Sequence, residues 1–186
     1  VVENNFGVAD KVTVSGLTAG DVVKVYVTTY TGTETPKVTG TVATGNTSLT
    51  LSYAQLDPGD DGETIYITVT STSSTESSAL SVTLPAPATS ASLNPAQVTV
   101  TNNNGIPDLV EVINTAGGTT LLNGDVIKVY AGPTGNPIGV GYYSSTSGKA
   151  SIGLAQLLNA SAGGSIYVTL STSGQKESTR VEVAYD

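Results

Sequence analysis

The stretches VENNFGVADKVTV (Val2 to Val14) and VTNNNGIPDLVEV (Val100 to Val112) decide the fold, because they are one pattern written twice. Val2/Val100, Asn4/Asn102, Asn5/Asn103, Gly7/Gly105, Asp10/Asp108, Val12/Val110 and Val14/Val112 recur at a constant offset of 98. The echo continues as GDVVKVY (Gly20 to Tyr26) against GDVIKVY (Gly124 to Tyr130), then as AQL at Ala54 and Ala155. It closes with IYITV against IYVTL, from Ile65 and Ile166, and with Glu76-Ser77 against Glu177-Ser178. A period of roughly 100 residues is too long for a solenoid repeat and is the size of an independent domain. The chain therefore reads as two like domains in tandem, each with enough residues for a small sandwich and its own core.

Alternation of apolar and polar residues is the dominant periodicity, and no stretch of helical spacing stands out. Strands are expected near 10–15, 22–30, 37–43, 47–52, 64–71 and 77–84, with a remnant at 1–3. In the second copy they are expected near 97–101, 108–114, 126–131, 138–143, 149–154, 165–172 and 178–185. Turn chemistry separates them, as at Ala19-Gly20-Asp21, Asn123-Gly124-Asp125 and Ser147-Gly148. About seven short strands per copy, with a turn roughly every 8–12 residues, predict two antiparallel β-sandwiches. The expected division is a first sandwich over 1–85 with its first strand truncated, a Pro/Ala/Ser linker over 86–95, and a second sandwich over 96–186. Opening without Met and in mid-pattern, the chain reads as a piece of a longer protein.

Faces follow from the period of two. Val23, Val25 and Val27 share one face, while Val22, Lys24 and Tyr26 share the other. Lys24 marks the second face as the solvent side, which predicts Tyr26 lying flat on the outside. Tyr66 and Tyr167 open the sixth strand of each copy, either on the face opposite Ile65 and Ile67 or as an inward corner tyrosine; both readings are structural.

Composition excludes several chemistries. The chain has no Cys, Met, Trp or His, so disulfides, thiol nucleophiles, zinc-thiolate sites and imidazole acid–base work are all absent. A net charge of −8 with only 7 basic residues argues against nucleic acid. No apolar run is long enough for a membrane span, so membrane insertion is not expected.

The candidate sites are few. Asp57, Asp60, Asp61 and Glu63 form the densest acidic cluster and could offer oxygen ligands to Ca²⁺ on a flexible turn. The second copy carries no carboxylate in the matching loop, and an acidic turn facing water is the plainer explanation. Asp10 and Asp108 lead into a strand from an Asn-rich turn, which suits backbone tethering as well as a shared metal. Lys24 and Lys128 are candidates for a Lys–Asn isopeptide bond, although a lysine on an exposed face ordinarily snorkels to water. Tyr142 and Tyr143, with Tyr26, Tyr30 and Tyr130, could form an aromatic platform for sugar rings; cross-strand packing is the alternative. No nucleophile elbow or catalytic pair common to both copies is present, so an enzyme is not expected.

The motifs NNxGxxDxVxV, GDVxKVY, AQL, IYxTV and the closing Glu-Ser resemble the tandem immunoglobulin-like repeats of surface-layer and other cell-wall-associated proteins of Gram-positive bacteria. The resemblance implies an all-β fold of two immunoglobulin-like sandwiches, secretion to the bacterial cell surface, self-assembly, and frequent dependence on Ca²⁺. The expected function is a structural segment acting as spacer and as lattice- or partner-contact domains. Its expected partners are neighbouring domains and like subunits. The alternative is a carbohydrate- or host-binding module of an adhesin or secreted enzyme, with glycans as partners. A phage virion decoration domain is a third.

Overall fold

Each alternating run forms a strand in the computed structural model, which describes residues 1–27, 30–56, 63–157 and 163–186. In the first copy these are β1 (Val2–Glu3), β2 (Asp10–Ser15), β3 (Val22–Val27), β4 (Val38–Thr41), β5 (Ser48–Tyr53), β6 (Thr64–Thr70) and β7 (Leu80–Thr83). In the second they are β8 (Val98–Thr101), β9 (Asp108–Ile113), β10 (Val126–Tyr130), β11 (Pro137–Tyr142), β12 (Lys149–Leu154), β13 (Gly164–Ser171) and β14 (Val181–Tyr185). Contacts divide the chain into two units, Val1–Ala88 and Thr89–Asp186.

Each unit is a β-sandwich of one three-stranded and one four-stranded sheet, and within these sheets the described strands pair antiparallel. The first has sheets β1-β2-β5 and β4-β3-β6-β7; the second has β8-β9-β12 and β11-β10-β13-β14. In both, the chain leaves one sheet for the other between its second and third strands, which is how two sheets come to share one core. That core is built from the alternate residues of facing strands. Val12 and Leu51 meet Val23, Val25, Ile65 and Ile67 in unit one, and Val110, Val112 and Ile152 meet Ile127, Val129, Ile166 and Val168 in unit two.

Two local devices recur. Gly20 and Gly124 each have φ of +90°, a conformation that a side chain resists. The following aspartate then closes the turn: Asp21 Oδ2 accepts from the Thr18 amide at 2.9 Å and Asp125 Oδ2 from the Leu122 amide at 2.8 Å. The second device is an inward glycine on the short outer strand. A Cβ on Gly40 would stand 2.5 Å from Leu51, and on Gly141 2.4 Å from Ile152, so glycine lets β4 and β11 lie against the opposite sheet.

The expected linker differs in its second half. Thr89 bridges Lys176 in parallel, Ser90 donates its amide to the Lys176 carbonyl at 2.8 Å, and Leu93 is buried in the core of unit two. Asn94 and Gln97 then close a capping box around a 3₁₀ turn at Pro95–Gln97. Proline and small residues read as a spacer because they break alternation. The tertiary hydrogen bonds that recruit them are invisible to periodicity.

Candidate functional site

Beside the turn-closing Asp21 and Asp125, two constellations of buried and half-buried polar groups recur in both units. The first lies on the outer face of the four-stranded sheet. Register pairs Lys24 with Thr68 and Tyr26 with Tyr66 across β3 and β6, and Lys128 with Thr169 and Tyr130 with Tyr167 across β10 and β13. Glu76, in the connection between β6 and β7, reaches over this face. Its Oε2 accepts from Lys24 Nζ at 2.6 Å, and its Oε1 from Tyr26 Oη at 2.8 Å and from Thr68 Oγ1. Glu177 repeats the arrangement, with Lys128 Nζ at 2.5 Å on Oε2, and Thr169 Oγ1 at 2.6 Å together with Tyr130 Oη on Oε1.

Tyr26 therefore lies on the outer face as expected, but it is covered there and not exposed to solvent. It is 4% exposed, covered by the Glu76 arm and by Tyr30, whose ring centroid lies 4.8 Å away. In unit two the cover is Arg180, whose guanidinium sits 3.5 Å from the Tyr130 ring centroid while donating to the carbonyls of Gly132 and Gly135. Tyr66 shares the outer face with Tyr26, opposite Ile65 and Ile67, so it is not an inward corner tyrosine. Both lysines are held by glutamate in ordinary ion pairs, the arrangement opposite to a buried isopeptide lysine.

The electrostatics follow from the geometry. The Lys24 ammonium, then Thr68 and Tyr26, donate to Glu76 and hold its carboxyl at about 2, while burial pushes the other way. For Glu177, burial pushes up, but the donors Lys128, Thr169 and Tyr130 together outweigh it and the carboxyl stays below its usual range. Lys24 and Lys128 are raised by the same bonds, and Tyr26 and Tyr130 are raised first by burial. A carboxylate so depressed is a weak base near neutral pH, and its lone pairs are already engaged. The chemistry this arrangement performs is fastening a connection onto a sheet.

The second constellation is the aspartate that opens β2 and β9. Asp10 and Asp108 are fully buried. Asp10 Oδ1 accepts from the Asn5 amide at 2.7 Å and Oδ2 from the Leu56 amide at 2.5 Å; Asp108 does the same with Asn103 at 2.6 Å and Leu157 at 2.5 Å. Asn5 and Asn103 tighten the turn by donating to the Ala9 and Pro107 carbonyls. Each aspartate thus ties the turn before its strand to the AQL segment, which explains why both motifs recur together. Asn4 and Asn102 donate to the Pro85 and Asp186 carbonyls, and the Oδ1 of each is buried without a protein partner.

The remaining candidates separate. Tyr142 is 66% exposed at the end of β11, whereas Tyr143 is 6% exposed and its Oη accepts from Asn114 Nδ2 at 2.9 Å. The two do not form a platform: Tyr143 lies in the core, at the position where unit one has the buried Val42. The equivalence is fixed by backbone bonds, since Val42 donates to the Asp21 carbonyl and Tyr143 to that of Asp125. Asp57, Asp60 and Asp61 lie outside the described residues. Glu63 precedes β6, and its carbonyl accepts from the Leu84 amide at 2.8 Å. Among the described residues, no three acidic side chains converge into a metal-binding group.

Sequence reasoning saw Glu76-Ser77 and Glu177-Ser178 recur without seeing why. The signal was available: a glutamate, a lysine, a tyrosine and a threonine all retained in both copies, with Lys and Tyr two apart on one strand face.

No protein-family model and no curated protein matches the chain. Among solved structures it is similar to one described as "Biofilm associated protein - BSP domain", at 19% identity and a TM-score of 0.32. The match covers 98% of this chain and 27% of that one, so the chain spans about a quarter of that neighbour's length.

Proposed function

We propose that this chain is a structural segment of a secreted bacterial surface protein, its two immunoglobulin-like sandwiches serving as spacer and contact domains in a surface-layer-like assembly. One observation carries the reading: the buried and half-buried polar groups that the two units share are interlocks. Asp10/Asp108 tie turn to turn, Asp21/Asp125 close turns, and Glu76/Glu177 fasten a connection to a sheet. Interlocks between distant parts of a strand ladder resist mechanical opening, which is what a load-bearing spacer needs. No catalytic role is proposed, and the partners are neighbouring domains and like subunits outside the cell. Pulling the chain between handles is expected to give two like unfolding events, each releasing about 300 Å of contour. Yielding at negligible force, or turnover of a substrate abolished by one carboxylate change, would sink the proposal. A Ca²⁺ requirement is read separately: chelator lowers the unfolding midpoint if the ion is structural and leaves it unchanged if not.

A second reading, a glycan- or host-binding module, rests on β11. Ile138, Val140 and Tyr142 are exposed along this edge strand, where unit one places Lys37, Thr39 and Thr41. Binding on a glycan array that disappears with Tyr142→Ala favours this role; an empty array removes it.

A further inference from the structure

One edge of the four-stranded sheet in unit two is β11, which among the described strands pairs with β10 alone. Tyr143 turns both its backbone groups toward β10, donating its amide to the Asp125 carbonyl and accepting from the Gly124 amide, each at 2.8 Å. Counting back through an antiparallel ladder, Gly141 and Gly139 do the same, while Tyr142 and Val140 turn their N–H and C=O groups to the open edge. The side chains alternate with them. The glycines face Ile152 and Leu154 of β12, and Ile138, Val140 and Tyr142 stand on the outer face at 43%, 48% and 66% exposure. Open main chain and an apolar row thus lie together, a combination that sheets ordinarily blunt.

Unit one shows the blunted form. Its equivalent strand β4 has 4 residues against 6, and Lys37, Thr39 and Thr41 take the places of the apolar row. Lysine is a usual guard of a strand edge. Around β11, charge is missing or already engaged. No charged residue stands between Tyr130 and Lys149 in the sequence. Lys128, across from Val140 on β10, is paired with Glu177 at 2.5 Å, and Arg180 lies on the Tyr130 ring with its N–H groups on the Gly132 and Gly135 carbonyls. On a chain of net charge −8, this is a face that a second copy can approach without like charges meeting.

The strand also matches itself. Ile138-Gly139-Val140-Gly141-Tyr142 reads apolar, glycine, apolar in both directions from Val140. Antiparallel self-pairing about that residue sets Val140 opposite Val140, Gly139 opposite Gly141, and Ile138 opposite Tyr142, an aromatic and β-branched pair of the kind that stabilises ladders. A twofold contact demands this self-complementarity. We infer that β11 is a self-association edge, through which two copies join their four-stranded sheets into one continuous sheet with the twofold axis at Val140. The inference gives the contact role proposed above its surface, and rests on that reading. Pro137 and the bulge beside Ile138 end the free edge, so the contact is one short strand wide, well under the roughly 1,200 Å² of a standard interface. It is a weak, reversible contact, effective where many copies are held close together.

The chain has no cysteine, so a single introduced thiol reports proximity without background. Val140→Cys is expected to give a disulfide-linked dimer of the whole chain under mild oxidation, since the paired Cα atoms stand about 5.5 Å apart. Ile138→Cys mixed with Tyr142→Cys links likewise, but Tyr142→Cys alone does not, its two copies lying about 14 Å apart along the strands. Thr39→Cys, on the guarded edge of unit one, is the matched control and stays monomeric. In sedimentation of the unaltered chain, a dimer grows in as concentration approaches about 1 mM. Val140→Lys, which sets two ammonium groups opposite each other, weakens it about tenfold or more with the far-ultraviolet spectrum unchanged; Tyr142→Lys, at the more exposed position, does the same should the first variant fail to fold. A chain monomeric at that concentration, a dimer indifferent to both lysine variants, or Tyr142→Cys linking as readily as Val140→Cys would overturn the inference. So would a glycan bound through Tyr142 by a monomeric chain, which would give this edge to a carbohydrate. A monomer that still resists pulling removes this contact and leaves the spacer role standing; a dimer that yields at negligible force does the reverse.

Discussion

Glu76 shows how much one side chain can organise. It collects the Lys24 ammonium and two hydroxyls, and removing it leaves Tyr26 Oη and Thr68 Oγ1, both on buried residues, without an acceptor. Glu76→Ala is expected to cost about 2 kcal/mol, read by urea unfolding, since hydrogen bonds to charged groups contribute more than neutral ones. Its pH signature has a definite sign. A carboxyl held at about 2 in the folded chain against an ordinary 4.5 contributes stability that is complete above 4.5 and fades as pH falls toward 2. Glu76→Gln should therefore flatten part of the acid limb of the stability–pH curve, and an unchanged limb would show that the bonds are not made in solution. Asp108 is the stricter case, because both oxygens serve buried or part-buried backbone amides. Asp108→Ala is expected to destabilise unit two by about 3 kcal/mol, seen as lost hydrogen-exchange protection at Leu157 and Asn103.

At the scale of elements, β11 explains why glycine stands inside a strand. Gly139 and Gly141 face Ile152 and Leu154 of β12 so closely that a Cβ would stand 2.3 to 2.8 Å from their side chains. Gly141→Ala is expected to cost about 1–3 kcal/mol by overpacking, and Ile152→Val in the same chain should recover part of it; a neutral Gly141→Ala would mean that the strand can move outward freely. The existence of this strand was legible from alternation. The asymmetry of its faces was not, because alternation defines two faces without saying which one meets the partner sheet; here the glycines do, and Ile138, Val140 and Tyr142 are exposed. The same limit applies to Tyr143, whose neighbour in sequence points outward while it replaces the core residue Val42.

For the molecule, the important quantity is that each unit owns a core. Ile65→Ala is expected to cost unit one about 2–5 kcal/mol and to collapse exchange protection within Val1–Ala88, with the protected core of unit two around Ile166 intact. Loss of protection in both would mean that they unfold as one body. By itself, the sequence determined the duplication, the all-β class, the position of each strand and which residues of β3 and β6 share a face. These are local properties, set by side chains that alternate every residue and by turn residues that tolerate few conformations. Tertiary structure alone decided that Tyr26 is covered, that Asp10 reaches the Leu56 amide, and that Leu93 belongs to a core. Each of these depends on groups some 45 or more residues apart, or on a segment outside any strand, and periodicity carries no record of which distant group comes to meet a given side chain.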